Sequence, residues 1–392
     1  MSTLLRVYLR WVAALFLTLP AIAFAQLPEV VLAGLSYSGD AESSHERFRY
    51  STSYIESLQK EGVTPYTKLI AALSNHPPSS IAVSQSQITN LQGRDQAIVV
   101  SLVVTSEIVS VERFGLLNKL MVLIRGQALF FDFKSMTVLR AYPLSFAFID
   151  SFDREPTEAE KLGAVRKVYE GTQGKPGIYE RFARALSGAA LPTSTSRYLK
   201  VTNVSVAADV AAALPAYLTT SEAVTQTWAA DMVGEAISTQ VGVPIVPFIK
   251  GAAIGNVMSV QIADGAVYNL KLPSPDYEIS VDLTSLKKIK YGESAAGESF
   301  IYGSYATVRI EEPLSGTTYF NTTLKNGEMK IVPRTQNVVD DFPAYYDSLN
   351  RMFTKLAQSF AGGDTKWVQS AAGAKDVTAQ IVRAKDLLNS CK

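Results

Sequence analysis

The side chains able to do chemistry are few and scattered. Only two histidines, His45 and His76, occur among the 392 residues. A serine or cysteine nucleophile needs a base beside it, and the usual zinc sites need His or Cys ligands at short spacing. The chain has one cysteine, no HExxH motif and no cysteine–histidine spacing. The sequence therefore predicts no catalytic residue, no cofactor and no metal site.

Carboxylates are the remaining candidates for acid–base chemistry. Adjacent acids occur as Glu311-Glu312 and Asp340-Asp341, but neighbours on a strand point to opposite faces. Asp132 lies in the most apolar stretch of the chain, where burial would raise its pKa. The alternative places Asp132 on a wet face or in hydrogen bonds to turn amides near Lys134. A carboxylate such as Asp132 is what a hydrolase would have to use.

The first 25 residues have the pattern of a secretory signal peptide. Two arginines precede an apolar run that ends in Ala23-Phe24-Ala25, before Gln26. The run is short and interrupted by Pro20, which argues against a membrane anchor. The pattern predicts cleavage after Ala25 and a periplasmic or secreted mature protein.

Charge and composition narrow the class of partner. Lys and Arg number 37 and Asp and Glu 36, with 47% hydrophobic residues. This composition is typical of a globular chain, and the length fits two domains. Nucleic-acid binding needs a clustered excess of basic residues, so the sequence predicts none.

A β-hairpin from Leu120 to Ile149 is predicted at the centre of the chain, around the connector Lys134-Ser135-Met136. It holds the densest aromatic clustering in the sequence, and aromatic and β-branched residues favour strands. Large rings bury much apolar area, so we expect this hairpin to form the floor of a core.

Both halves of the chain repeat one order of elements: a strand, a helix, several antiparallel strands and a closing helix. This predicts an α+β fold of two similar domains, each a mostly antiparallel sheet packed with helices, plus a C-terminal helix; two unrelated α+β domains are the alternative. The predicted divisions are a signal peptide at 1–25, domain 1 at 26–188, a linker at 189–196, domain 2 at 197–363 and an amphipathic helix at 364–392.

The second half reads mainly as strands and turns. A hairpin is predicted around Glu312-Pro313-Leu314-Ser315-Gly316, and Lys325-Asn326-Gly327-Glu328 predicts a further two-residue turn. A strand, a helix and a meander with such turns resemble the small α+β domains of bacterial envelope assembly proteins, such as the TolB amino-terminal domain.

One basic segment is a candidate for contact with a partner. Lys288 and Lys290 share a face if residues 287–291 form a strand. They could then meet anionic lipid headgroups or glycans. Alternatively, lysines on an edge strand prevent sheets from sticking together.

The C-terminal helix is the second candidate. Val377, Ile381 and Leu388 form one apolar stripe, with Cys391 near it. The helix either docks on its own domain or binds a partner or a second copy. A lone cysteine forms no internal disulfide, so Cys391 is either a free thiol on the tail or a bridge to another chain.

These observations predict an exported, non-enzymatic bacterial envelope protein that acts as a binding or assembly component. We expect an envelope protein or glycan as partner, with peripheral membrane contact and self-association as further interactions. The alternative is a hydrolase that acts on cell-envelope polymers through carboxylates such as Asp132.

Overall fold

The computed structural model describes residues 27–39, 45–85, 91, 97–193, 196–249, 256–262, 265–295, 297–334 and 338–392. The predicted signal peptide and its cleavage site lie outside these ranges. The described chain forms two sheets packed with helices and ends in a helix. The predicted α+β class is confirmed.

The described helices and strands follow one another in runs along the chain. The strands are β1 (Glu29–Ser38), β2 (Ala82–Ser84), β3 (Ile98–Phe114), β4 (Leu117–Asp132), β5 (Thr137–Phe152), β6 (Leu199–Val206), β7 (Val257–Ile262), β8 (Val267–Lys271), β9 (Tyr277–Ser294), β10 (Gly297–Glu312) and β11 (Thr317–Pro333). The α-helices are α1 (Arg49–Lys60), α2 (Pro65–Asn75), α3 (Glu158–Glu170), α4 (Ile178–Ser187), α5 (Ala208–Ala212), α6 (Glu222–Val241), α7 (Phe342–Phe360), α8 (Lys366–Ala371) and α9 (Val377–Ser390). None of these helices has the length and apolarity needed to cross a membrane.

The first sheet is built around the predicted central hairpin. β4 and β5 pair from Asn118↔Phe152 to Asp132↔Thr137, and β3 pairs antiparallel with β4. β1 lies parallel to β3. The aromatic rings of Phe130 and Phe131 point to different cores, one under α1–α4 and one on the opposite face of the sheet. The hairpin is therefore the shared floor of two cores, as its aromatic clustering predicts.

The second sheet has the same topology as the core of the first. β6 lies parallel to β9, and β9, β10 and β11 form an antiparallel meander. The order β6-β9-β10-β11 thus repeats the order β1-β3-β4-β5. The two similar halves that the element order predicts are present.

A hairpin from the second half of the chain joins the first sheet. β7 pairs with β8, then with the end of β1, and the start of β5 meets β8 at Thr137↔Lys271. These pairings close β1, β3, β4, β5, β8 and β7 into a ring around an apolar core. The sequence predicts that residues 257–271 belong to the second domain. The predicted linker at 189–196 therefore does not divide the two sheets completely.

The predicted turn at Lys325-Asn326-Gly327-Glu328 is wrong. β11 runs through it without interruption, with Gly327 opposite Gly303 on β10. The Asn326 side-chain amide donates to the carbonyl oxygen of Ser348 on α7 at 3.0 Å. This tertiary bond and the long ladder with β10 override the local preference of Asn-Gly for a turn.

The C-terminal helix docks on its own half of the chain. Val377, Ile381 and Leu388 are buried in the core of the second sheet with α7. Their side chains cannot reach a partner in this arrangement, so the stripe serves intramolecular packing. Cys391 is fully buried and belongs to the same core, because the helix carries it inward rather than leaving it on a frayed tail.

We expect the Cys391 thiol to be inert in the native protein. Burial raises the pKa of this thiol to about 12, and only the thiolate reacts readily. Labelling by a disulfide reagent at pH 8 should be at least about a hundredfold slower in buffer than in denaturant. Fast labelling of the native protein, or a disulfide-linked dimer on a non-reducing gel, would contradict this burial.

Candidate functional site

The two lysines predicted to contact a partner lie on the inner face of the second sheet. Lys288 donates to both carboxylate oxygens of Asp341, at 2.8 and 3.0 Å. Lys290 pairs with Glu293 at 3.0 Å and with Glu298. They share a face, as the spacing predicts, but both charges are already matched within the chain. Side chains other than these two lysines are therefore the ones available to a partner.

A β-bulge decides which residues of β9 face outward. Leu283 pairs with Ala306 and Ser285 pairs with Tyr305, so Thr284 is an extra residue in the ladder. One extra residue reverses the side on which the following residues point, as far as the next bulge, at Tyr291 between Lys290 and Gly292. Ile289 consequently faces solvent, and the bulge was not visible in the sequence.

The outward side chains beyond this bulge form a continuous surface, here called the outer face. Its cross-strand rows are Ser285–Tyr305–Lys325, Lys287–Gly303–Gly327, Ile289–Ile301–Met329 and Gly292–Ser299–Ile331. Directly paired residues point to the same side of a sheet. The large apolar residues of these rows are well exposed: Ile289 50%, Met329 57% and Ile331 59%. Tyr291, the unpaired residue of a second bulge between Lys290 and Gly292, is 68% exposed on the same strand as Ile289.

The centre of the outer face is flat. Gly303 and Gly327 are cross-strand partners and add no side chain. A Cβ at Gly327 would lie 3.2 Å from Cγ2 of Ile301, so the isoleucine leans over the glycine. The flat centre leaves the neighbouring apolar side chains accessible to a second surface.

The charge of the outer face has one sign. Lys287 and Lys325 lie in the two rows on one side of the apolar rows, and the four rows contain no carboxylate. The Lys287 ammonium lies 5.3 Å from the centroid of the Tyr305 ring, which positions this cation by a cation–π contact. The acids of this end of the sheet are on the inner face, where Glu293 and Glu298 pair with Lys290 and Glu328 pairs with Arg351.

A second group of charged side chains lies between the two sheets. Arg125 on β4 is buried, and its Nη1 lies 3.7 Å from Oδ2 of Asp231 on α6. Glu235, one turn further along α6, accepts from the backbone N–H and the hydroxyl of Ser145. Burial raises the pKa of Asp231 to about 6; Arg125 opposes this shift and Glu235 adds to it.

Asp231→Asn should change how stability depends on pH. An unfolded aspartate titrates near 3.9, so between about pH 4 and 6 the native state holds a proton that the unfolded state has lost. Native stability then falls as pH rises through this window. Because 24% of the side chain is exposed, we expect about 2 kcal/mol rather than the roughly 3 of the full shift.

The measurement is urea unfolding at intervals from pH 4 to pH 7.5. The free energy of unfolding of Asp231→Asn, relative to that of the wild type, should increase as pH rises. Asp386→Asn, an exposed position on α9, is the matched control and should follow the wild type. Parallel curves for all three proteins would show that Asp231 is not protonated by burial.

The carboxylates singled out from the sequence have structural partners. Asp132 Oδ1 accepts from the backbone N–H groups of Lys134 and Ser135 at 2.8 and 3.4 Å, the alternative of turn amides. Asp340 pairs with Lys119, while Asp341 pairs with Lys288. The adjacent acids therefore serve different contacts and do not act as a dyad.

The histidines are also apart from these groups. His76 lies 3.4 Å from Oε1 of Glu180, and His45 lies before α1 on the exposed surface. Across the described ranges, no three His, Cys, Asp or Glu side chains come together in a way that could hold a metal ion.

Comparisons with known proteins give no family for the chain. No protein-family model matches it, and no curated protein matches it. Thirteen chains of solved structures match. One is a minor lipoprotein from Acinetobacter baumannii, with 9% identity and a TM-score of 0.21, covering 47% of this chain and 99% of that chain. Another is a Xanthomonas campestris protein of the family model DUF330, with 10% identity and a TM-score of 0.21, covering 45% and 86%. Similarity at this level carries no inference about fold or function.

Proposed function

We propose that this protein is an exported, non-enzymatic component of the bacterial envelope that binds another envelope protein through its outer face. The observation that carries the proposal is the exposure of three large apolar side chains, Ile289, Met329 and Ile331, in neighbouring rows of one sheet surface. Contiguous exposed apolar surface on a folded domain marks a place of interaction.

The composition of the outer face favours a protein partner. Methionine is enriched in the centres of protein interfaces, and here Met329 lies with Ile289 and Ile301 in the row next to the flat Gly303–Gly327 pair. Lys287 and Lys325 at the margin select a partner whose apolar patch is bordered by carboxylates. We therefore expect an acidic rim on the partner.

Export is supported by the N-terminal sequence pattern alone. The charged start, the apolar run and the Ala23-Phe24-Ala25 site are those of a signal peptide. An envelope location gives the outer face access to other exported proteins, and to membranes and glycans. Lipid and glycan remain outcomes that the experiment must distinguish.

The outer face is tested by paired substitutions in the mature chain. The double variant Ile289→Ser, Met329→Ser should abolish capture of a specific envelope protein from a detergent extract. A few large side chains carry most of the binding energy of an interface, and this variant truncates two of them. Lys287→Glu with Lys325→Glu should lower capture by about tenfold or more at low salt. The matched control is Leu314→Ser, because Leu314 is 96% exposed at the opposite, turn end of the same hairpin.

Three outcomes contradict the proposal. Equal capture by both double variants and the control would mean that the outer face is not the contact. Binding to vesicles of phosphatidylethanolamine and phosphatidylglycerol without protein would assign the outer face to a membrane. A captured protein without an acidic rim, insensitive to the lysine substitutions, would remove the electrostatic part of the argument.

A further inference from the structure

A pocket between the two sheets contains an arginine with unused donors. The Arg125 side chain is only 5% exposed. Its Nε and Nη2 atoms are buried and have no hydrogen-bond partner among the described residues. Buried polar groups are nearly always hydrogen-bonded. We therefore expect a ligand to supply an acceptor for Nε and Nη2 of Arg125.

A second arginine lines the same pocket and is held in place. Arg181 on α4 donates from Nε to the carbonyl oxygen of Pro176 at 3.0 Å. Its guanidinium carbon lies 5.1 Å from the centroid of the Phe146 ring. Among the described residues, its two Nη groups have no hydrogen-bond acceptor. The Arg181 guanidinium is therefore held in one orientation, and its two Nη groups remain available to donate to a ligand.

The rest of the lining does not neutralise these two cations. The pocket has a volume of about 220 Å³, and its other polar lining residues include Glu235, Gln240, Tyr346 and Asn350. Glu235 is the one carboxylate in the lining, and Ser145 occupies both of its oxygens. Asp231 approaches Arg125 at Nη1, which is not one of the two unused donors. The lining has a net positive charge.

We propose that this arginine pocket binds a phosphate-type oxyanion carried by a small ligand. A guanidinium group matches the oxygens of phosphate through parallel N–H···O bonds, and two guanidinium groups line this pocket. The volume is below the roughly 300–1,000 Å³ of sites for drug-sized ligands and suits an oxyanion with a short polar substituent. The ligand would contact α4, α6 and α7 as well as β4, so binding would join the two halves. This site is independent of the outer face.

Thermal unfolding and calorimetry with inorganic phosphate and glycerol 1-phosphate test the proposal. Sodium chloride at equal ionic strength is the reference. Both phosphates should raise Tm of the wild type, and Arg181→Gln should weaken the dissociation constant by about tenfold or more. Arg184→Gln is the matched control, because Arg184 lies on the same helix but pairs with Glu180. Asn350→Asp adds a negative charge to the lining and should also weaken binding without removing an arginine.

The results divide cleanly. No phosphate-dependent shift, or an equal shift in wild type, Arg181→Gln and Asn350→Asp, would overturn the proposal. Loss in both pocket variants with retention in Arg184→Gln would support it. Binding of phosphatidylglycerol vesicles that depends on Arg181 would identify a lipid headgroup as the source. Binding of the soluble phosphates without the vesicles would identify a free ligand.

Discussion

Arg140→Met is expected to lower the free energy of unfolding by about 3 kcal/mol or more. Arg140 is 3% exposed on β5. Its Nη1 donates to the carbonyl oxygen of Cys391 at 2.6 Å, and its Nη2 donates to the carbonyl oxygen of Lys392 at 3.0 Å and to Ser196 Oγ at 2.9 Å. One guanidinium thus joins the first sheet, the linker and the C-terminal end. Removing it leaves the buried carbonyl oxygen of Cys391 without a donor, at a cost of about 1–3 kcal/mol, and also breaks the two part-buried hydrogen bonds to Ser196 and Lys392.

Two measurements distinguish the loss of the Arg140 hydrogen bonds from a general loss of stability. Urea unfolding gives the free energy, and the labelling rate of Cys391 reports release of the C-terminal helix before global unfolding. Ser196→Ala removes one acceptor only and should cost about 1 kcal/mol. A variant within 1 kcal/mol of wild type, with an unreactive thiol, would mean that the contact adds nothing.

Gly177→Ala is expected to cost about 3 kcal/mol or more, or to prevent folding. Gly177 precedes α4, in the turn that follows α3 and Gly171. A Cβ there would lie 2.5 Å from the carbonyl oxygen of Tyr169 and still closer to the backbone nitrogen of Gly171. These are backbone atoms at the end of a buried helix, so neither can move aside cheaply. The displacement would pass to Arg181, whose backbone N–H bonds the carbonyl oxygen of Gly177 at 2.9 Å.

Gly188→Ala is the matched control for this steric argument. Gly188 ends α4 with φ −103°, and a Cβ would meet nothing within 4 Å. Its free energy of unfolding should lie within about 0.5 kcal/mol of the wild type. Equal unfolding midpoints for Gly177→Ala and Gly188→Ala would show that the turn relaxes freely. A folded Gly177→Ala protein should also bind phosphate less tightly, through the altered position of Arg181.

The parts of the fold that were predictable from sequence are those set by local pattern. The aromatic hairpin from Leu120 to Ile149, the repeated order of elements and the amphipathic stripe at Val377, Ile381 and Leu388 are present as strands, topology and helix. Alternation and helical spacing report which side of an element is buried. They do not report which element covers that side.

The parts that failed depend on contacts between distant residues. The β7–β8 hairpin joins the first sheet because β1 and β5 offer open edges to it, and this lies outside any local window. Asn326 looks like a turn residue until its amide meets α7.

The outer face was missed for a related reason. One bulge at Thr284 moves Ile289 outward and Lys288 inward, which inverts the expected contact surface. The plain alternation of Lys325, Gly327, Met329 and Ile331 is the signal that could have found it.

The arginine pocket was also only partly predictable from the sequence. Arg125 in an apolar strand is visible in the sequence as a charge out of place, a feature that attracts functional interpretation. The sequence does not show that Arg125 and Arg181 line the same pocket, because the two residues come from different elements that meet only in the folded protein.

Site-specific photo-crosslinking in intact cells tests the central claim most directly. A photoreactive residue placed at Met329, in an apolar row of the outer face, is compared with one at Leu314, which is more exposed but lies at the turn end of the same hairpin. We predict an adduct with one envelope protein from position 329, its loss with Lys287→Glu and Lys325→Glu, and none from position 314. Equal adducts from both positions, or none from position 329, would contradict the account.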